Sequence, residues 1–247
     1  MTTANLYEYR AVLHLNNAAV SLLRRACYRQ AMGTFSDAFA CVKAITAKDQ
    51  AGLEPIDRQW IDERLAASYQ RLANPQPSQK NEGHLLDFEV LSDHESPRTV
   101  QVTGPSRNEF LAHLVHIDSD DFHGESCFDI TVESAIILYN FGIAYRCLAS
   151  LETSQPFAPS VNQGASHLLN LAYGAAMNCQ RQDQFEDTSS QFNRIMLLGQ
   201  LTLHHLADLS RHCPSVYNSY MNGLAEVRRC VQAAPAIPQA RGFAPAA

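Results

Sequence analysis

The densest group of side chains that could bind a metal lies between residues 113 and 127. Its members are His113, His116, Asp118, Asp120, Asp121, His123 and Cys127. Imidazole, thiolate and carboxylate groups are common ligands of zinc and other divalent metals. The spacing matches no familiar zinc pattern, and a calcium loop would need its glycine one place before Gly124 and a glutamate at its end. An exposed acidic loop is the simpler interpretation, and a metal-dependent enzyme is the alternative.

A second group combines His204, His205, His212 and Cys213, which are the side-chain types of a Cys–His catalytic pair. Neighbouring residues of a helix point about 100° apart, so His204 and His205 cannot act on one substrate atom together. No paired acid accompanies them, and the GxxxxGK[ST], GxGxxG, GxSxG and HExxH motifs are absent from the sequence. The sequence therefore predicts no catalytic residue, metal or cofactor, and a protein that is not an enzyme.

Helical periodicity organises the first part of the chain, residues 6–47. One apolar stripe consists of Leu15, Ala19, Leu22 and Leu23, and a second consists of Ala31, Phe35, Ala38 and Val42. A short break near Ala26 and Cys27 separates the stripes, which predicts an antiparallel helix pair. A third helix is predicted at 57–72, with Trp60, Leu65 and Tyr69 as candidate buried residues, and it ends before Pro75.

Residues 84–117 have a different pattern. Phe88 and Val90 alternate with polar neighbours, as do Val100 and Val102. Alternation with a period of two predicts short strands that form a small β-ribbon, while residues 108–115 fit either a short helix or a third strand. Because an isolated ribbon is marginal in water, it must pack on the helices.

A second helical region begins near Thr131 and contains several stripes. The first helix ends near Ser150, and a polar insertion with Pro156 and Pro159 occupies residues 152–163. Further helices are predicted around residues 165–176, 191–211 and 215–232. The tail, residues 233–247, is rich in alanine and proline, which predicts disorder.

The two helical regions repeat one pattern of spacings. Leu15, Ala19 and Leu22 match Leu138, Gly142 and Tyr145 in spacing, and residues 15–20 are similar in kind to residues 138–143. In the second helices, Ala31, Phe35 and Ala38 match Ala165, Leu169 and Ala172. Small residues let two helix backbones approach closely, and the large residue fills the groove of the partner helix.

This pattern resembles the tetratricopeptide repeat (TPR) family. The first unit carries most of the motif, in residues Leu15, Ala19, Leu22, Tyr28, Ala31, Phe35 and Ala38. It departs from the family pattern at Leu15, where an aromatic residue is usual. The second unit fits only with an insertion between its helices, and residues 194–231 form an apolar helical pair without a clean register. The matching units cover about a quarter of the chain, and ordinary hairpins of an alanine-rich helical domain are the alternative.

The resemblance implies a concave groove, lined by the first helix of each hairpin, that binds peptides or partner helices. Asn17 and Asn140 occupy equivalent places, two residues before the small residue, where an asparagine of peptide-binding members contacts the ligand backbone. An amide suits this role because it donates and accepts at once. Arg24 and Arg146, near the ends of the same helices, could meet an acidic partner. Alternatively, the asparagines only satisfy neighbouring helix ends.

Composition limits the classes of partner. The net charge of −6 argues against nucleic acid and against anionic membrane surfaces. The longest apolar stretch, residues 135–149, contains Asn140 and Arg146 and is too short to span a bilayer. Seven scattered cysteines without a CxxC pair indicate free thiols in a reducing compartment, so we expect a cytoplasmic or nuclear protein.

Together these patterns predict a mainly α protein whose antiparallel hairpins stack as a short TPR-like α-solenoid. Residues 1–232 form one domain with an irregular or β insertion at about 74–128. The expected function is protein–protein interaction or scaffolding, with Asn17, Asn140, Arg24 and Arg146 contacting a peptide or helix of the partner. The alternatives are a metal-dependent enzyme that uses residues 113–127 and a structural subunit of a larger complex.

Overall fold

The computed structural model describes residues 3–51, 56–78, 88–92, 112–117, 130–151, 158–181 and 189–233. Most of these residues are helical, which confirms the predicted mainly α class. The elements, in chain order, are α1 (Thr3–Arg24), α2 (Tyr28–Ala51), α3 (Arg58–Ala73), β1 (Phe88–Ser92), β2 (Ala112–His116), α4 (Ile130–Leu151), α5 (Ala158–Arg181), α6 (Ser189–Leu209) and α7 (Pro214–Ala233).

The break predicted near Ala26 and Cys27 is a tight turn between α1 and α2. Ala26 adopts a left-handed backbone conformation with φ of 56°. The Cys27 N–H donates to Leu22 O and the Ala26 N–H donates to Leu23 O, which is the double hydrogen bond of a Schellman cap. This cap reverses the chain within three residues and lets α2 pack against α1.

Helix α3 packs mainly on α1, and polar contacts also connect it to α2 and to the turn before α2. Arg71 Nη1 lies 2.7 Å from Asp37 Oδ2 on α2, and Arg25 Nη1 donates to Leu72 O. The prediction that Tyr69 is buried is wrong, because this residue is 56% exposed while Ile61 and Ser68 are buried. A helix that covers only one side of its neighbours buries a narrow face, and that face contains residues 61 and 68.

The remaining helices contact one another in chain order. Helices α4 and α5 share the most extensive helix–helix contact, and α6 packs on α7. Contacts between α2 and α4 and between α5 and α6 join these pairs, and α4 also touches α1 and α6. Buried apolar side chains of α1, α2 and α4–α7 form one continuous core, to which both strands contribute.

Glycines mark the closest approaches between these helices. A Cβ atom at Gly142 would lie 2.9 Å from Leu169 Cγ of α5, closer than packed carbon atoms allow. A Cβ atom at Gly199 of α6 would lie 3.1 Å from Met177 Cε of α5 and 3.8 Å from the methyl groups of Val227 on α7. The sequence-predicted stripes on α4 and α5 are therefore packing surfaces, as their spacing indicated.

The two strands form a parallel pair that aligns Phe88 with Ala112 and Ser92 with His116. The sequence of residues 108–115 fits either a helix or a strand; residues 112–115 lie in β2, and residues 108–111 lie outside the described residues. The strand predicted around Val100 and Val102 lies outside the described residues. Leu91, Leu114 and Val115 are buried in the common core, so this pair packs on the helices.

The start of α5 differs from the prediction. Helix α5 begins at Ala158, so Pro159 and residues 160–163 are helical, although they were assigned to a polar insertion. Proline is tolerated in the first turn of a helix, where its missing N–H has no helical partner in any case. The predicted tail from residue 234 onward and the central part of the insertion lie outside the described residues.

Candidate functional site at the strand β2

The segment 112–117, which comprises β2 and Ile117, lies against α1 and α4. These are the two helices that carry the equivalent asparagines. The side chains of Leu114, Val115 and Ile117 are almost completely buried there. The face that the sequence assigned to a partner peptide is thus occupied by an extended segment of the same chain.

Asn140 binds the backbone of Val115 through both atoms of its amide. Its Oδ1 accepts from the Val115 N–H at 2.9 Å, and its Nδ2 donates to Val115 O at 2.7 Å. Asn140 itself is fully buried. The N–H donor and the C=O acceptor of an asparagine side chain point in the same direction. The N–H and C=O of one residue at the edge of a strand also point in one direction, so the side chain can bind both at once.

Asn17 binds Ile117 in the same way, two residues further along the segment. Its Nδ2 donates to Ile117 O at 2.8 Å, and its Oδ1 accepts from the Ile117 N–H at 3.1 Å. Asn17 is only half-buried, since it lies nearer the margin of the face. Two amides at equivalent places of the repeated pattern therefore hold alternate residues of one strand.

Two further side chains reach the same edge of the strand, and neither was predicted from the sequence. Tyr139 donates its hydroxyl hydrogen to His113 O at 2.9 Å. Asn16 Nδ2 lies 3.1 Å from Asn17 Oδ1 and 3.4 Å from Val115 O, while its Oδ1 accepts from Asn140 Nδ2 at 3.0 Å. Asn16 and Tyr139 stand opposite each other in the repeat alignment, which is the signal that could have identified them.

Together these contacts replace a neighbouring strand. Successive residues of a strand direct their backbone groups to opposite edges, so residues 113, 115 and 117 share one edge. On that edge, Asn17, Asn140, Asn16 and Tyr139 supply the hydrogen bonds, while β1 pairs with the other edge. The segment lies in a slot between β1 and the helices, and polar groups bind its backbone from both sides.

The slot is chemically neutral around the bound backbone. Amide and phenol groups form its polar contacts, and burial raises the pKa of the Tyr139 phenol, so it remains a hydrogen-bond donor. The chain atoms that face them are backbone amides and carbonyls. This arrangement suits the uncharged backbone of an extended segment.

The prediction that Arg146 meets an acidic partner is wrong. Arg146 is 9% exposed, and its guanidinium contacts both Asp208 and His205 on α6. If the repeat alignment is extended by three residues, Arg146 stands opposite Leu23, which is also buried. Arg24 is exposed at the end of α1, away from this internal group.

His205 is a neutral member of that internal group. Arg146 Nη1 lies 2.6 Å from His205 Nδ1, and because a guanidinium can only donate, Nδ1 must accept. Burial, together with the charge of Arg146, lowers the pKa of His205 well below its ordinary value. Cys213 lies elsewhere, exposed before α7 with its thiol 3.7 Å from Ser215 Oγ, so it does not form a catalytic pair with this histidine.

The candidate metal-binding group at residues 113–127 is only partly within the described residues. His113 is buried in β2 and His116 is half-buried, while Asp118, Asp120, Asp121, His123 and Cys127 lie outside them. The residues that the structure describes contain no group of three or more histidine, cysteine, aspartate or glutamate side chains that could hold a metal ion. None of its helices has both the length and the hydropathy that a membrane span requires.

None of the cysteines within the described residues forms a disulfide bond. Cys27, Cys41, Cys147 and Cys179 are buried, Cys230 is half-buried and Cys213 is exposed. Burial raises the pKa of the Cys147 thiol to about 12 and that of Cys41 to about 11, so both are protonated and packed as apolar groups.

No protein-family model matches the chain, and neither does any of the curated proteins or solved structures with which it was compared.

Proposed function

We propose that this chain is an interaction protein whose helices form stacked hairpins, similar to tetratricopeptide repeats, and that the face of α1 and α4 holds an extended peptide segment. The observation that carries the proposal is the pair of amides of Asn17 and Asn140, each of which binds the N–H and C=O of one residue of an extended backbone. Such a grip recognises a strand of peptide and does not depend on its side chains.

The order of helix contacts supports the stacked arrangement. In an array of hairpins, each second helix packs between its own first helix and the first helix of the next unit. Helices α2 and α5 have these neighbours, and the first helices α1, α4 and α6 touch in sequence. This order suggests three units, namely α1–α2, α4–α5 and α6–α7, with α3 against the first.

The glycine contacts support a third unit that the sequence pattern left without a register. Ile195, Gly199 and Thr202 repeat the spacing of Leu15, Ala19 and Leu22. On α7, Gly223, Val227 and Cys230 repeat the spacing of Ala31, Phe35 and Ala38. A Cβ atom at Gly199 would also contact Val227, at an ordinary distance of 3.8 Å, so the two positions that meet at Gly142 and Leu169 lie next to each other in this unit too.

The proposal is tested with a chain whose slot has been emptied. Residues 112–117 are replaced by a glycine–serine sequence of equal length, and a labelled synthetic peptide with the sequence of residues 110–119 is added. We expect saturable binding by fluorescence anisotropy, together with a rise in the thermal unfolding midpoint, because the peptide restores the missing strand. The second readout applies even if the emptied chain is only partly folded.

The matched variants decide whether the asparagines carry the binding. In the emptied chain, Asn17→Ala with Asn140→Ala should weaken peptide binding at least tenfold, since two bidentate contacts are lost. Asn222→Ala, which removes an exposed asparagine of α7, should leave binding unchanged. Absence of peptide binding, or binding that the double substitution leaves unaltered, would contradict the proposal.

A further inference from the structure

We infer that the segment 112–117 is an internal ligand of the slot, and that the partner is an extended segment, apolar at the places of Leu114, Val115 and Ile117, that binds by displacing it. This inference rests on the proposed function and specifies both the partner and its regulation. It follows from the identity of the present occupant, whose every contact with the slot a second peptide of the same kind could repeat.

The contacts of the occupant define what a partner must offer. Counted from residue 112, the third, fourth and sixth places of the segment are Leu114, Val115 and Ile117. Leu114 is fully buried and the other two are almost fully buried, so a partner needs apolar side chains at these three places. The N–H groups of Val115 and Ile117 donate to asparagine oxygens, which excludes proline from the fourth and sixth places. His116 is only half-buried, so the fifth place is the most tolerant of change.

The extended form of the segment follows from its neighbours. Parallel pairing with β1 and the two asparagine contacts on residues 115 and 117 require a strand. In a strand, the N–H and C=O groups of successive residues point to opposite edges. A helical partner would present its backbone groups to itself and leave the amides of Asn17 and Asn140 unpaired. The slot therefore fits a strand, although the sequence pattern left a peptide and a helix equally open.

Tethering gives the internal segment an advantage that a partner must overcome. An intramolecular ligand competes at an effective concentration of roughly millimolar. The wild-type chain should therefore bind the 110–119 peptide at least tenfold more weakly than the chain with residues 112–117 replaced. Because the asparagines hold both competitors, Asn17→Ala with Asn140→Ala should change the apparent affinity of the wild-type chain far less than that of the emptied chain.

Peptide variants test the stated chemistry on a single protein. N-methylation at the places of Val115 and Ile117 removes the two donated hydrogens and should abolish binding to the emptied chain. A peptide with Leu114→Glu should lose binding at least tenfold, because that place is fully buried. The matched peptide with His116→Glu should lose threefold or less. Equal losses from the two glutamate peptides would overturn the assigned partner chemistry.

Displacement is measured directly on the wild-type chain by hydrogen exchange of the Val115 and Ile117 amides. Saturating 110–119 peptide should accelerate their exchange, whereas the N-methylated peptide should not. If the emptied chain binds the peptide but the wild type binds it equally well, or if the peptide never accelerates exchange, the segment is not a displaceable ligand and the inference is overturned while the proposed function stands. If the emptied chain binds no peptide, the proposed function itself fails.

Discussion

Helices α1 and α4 hold the same strand with the same type of side chain, but in different surroundings. Asn17 on α1 is half-buried, whereas Asn140 on α4 is fully buried. Each makes two hydrogen bonds to one backbone residue, so the geometry of the two contacts is equal. The two asparagines differ in their exposure to water. This exposure determines how much unfolding free energy is lost when the backbone groups that an asparagine binds are left without it.

The contrast extends to the ends of the two helices. Helix α1 buries Leu23 and exposes Arg24, whereas α4 buries Arg146 at the place that aligns with Leu23. A buried guanidinium requires buried partners, which Asp208 and His205 on α6 provide. Helix α4 thus holds β2 on one side and is tied to α6 on the other, while α1 has no such charged contact at that place.

The largest effect should come from Arg146→Ala, which removes the guanidinium from Asp208 and His205. We expect a loss of about 3 kcal/mol of unfolding free energy, because breaking a buried ion pair leaves an imperfectly compensated charge. Arg211 remains 2.6 Å from Asp208 and moderates the loss. Urea unfolding measures it, with Arg24→Ala as the matched control that should stay within about 0.5 kcal/mol. Equal losses in the two variants would contradict the placement of Arg146 in the interior.

The two asparagines should differ by the next largest effect. Asn140→Ala leaves the buried Val115 N–H without its acceptor and should cost about 2–3 kcal/mol of unfolding free energy, whereas Asn17→Ala should cost about 1 kcal/mol because water can enter the space left by the half-buried Asn17 side chain. Denaturant titration of both variants gives the comparison. A greater loss for Asn17→Ala would reverse the assignment of the buried and marginal contacts.

The tight contact between α4 and α5 gives a smaller effect of known sign. Gly142→Ala should destabilise by about 1 kcal/mol, because the new methyl group overlaps Leu169 more than helix propensity compensates. Gly174→Ala, also within a helix, meets nothing within 4 Å and should stabilise by up to about 1 kcal/mol. Thermal unfolding should move the two midpoints in opposite directions, and stabilisation by both would refute the close packing at Gly142.

The smallest effect concerns pH and again belongs to α4 and its contact with α6. Burial lowers the pKa of His205, so below pH of about 6.5 the unfolded chain binds a proton that the folded chain does not. The stability contributed by the neutral ring is complete above that pH and falls as the pH decreases towards the folded pKa. His205→Gln, which can still accept from Arg146, should show a shallower loss of stability between pH 7 and pH 5. Identical pH profiles for the two chains would show that His205 does not titrate on unfolding.

Local pattern was sufficient for the helices because each one buries a continuous stripe. The stripes through Leu15 and Ala19, Ala31 and Phe35, and Ala165 and Leu169 are all buried, as their periodicity predicts. Tyr69 is exposed although it lies at helical spacing, because an apolar side chain is buried only where another element covers it. The sequence of α3 does not show which side α1 and α2 will cover.

The candidate site could be located from the sequence, but its occupant could not. The repeat alignment brought Asn17 and Asn140 into equivalence, and both contact an extended backbone. That this backbone belongs to residues 115 and 117 depends on contacts 25 and 100 residues apart in the chain, which no local pattern encodes. Arg146 was misassigned because a charged residue was expected at the surface, although its alignment with Leu23 pointed to the interior.

The most direct test of the central claim is hydrogen exchange of the Val115 and Ile117 amides, resolved by residue, in the wild type and the two single variants. Asn17→Ala should accelerate exchange at Ile117 and leave Val115 protected, whereas Asn140→Ala should accelerate exchange at Val115 first. This pattern would show that each asparagine holds its own residue of the strand. Protection at both amides that neither substitution changes would show that the strand is held by other groups, and would remove the basis for a peptide-binding slot.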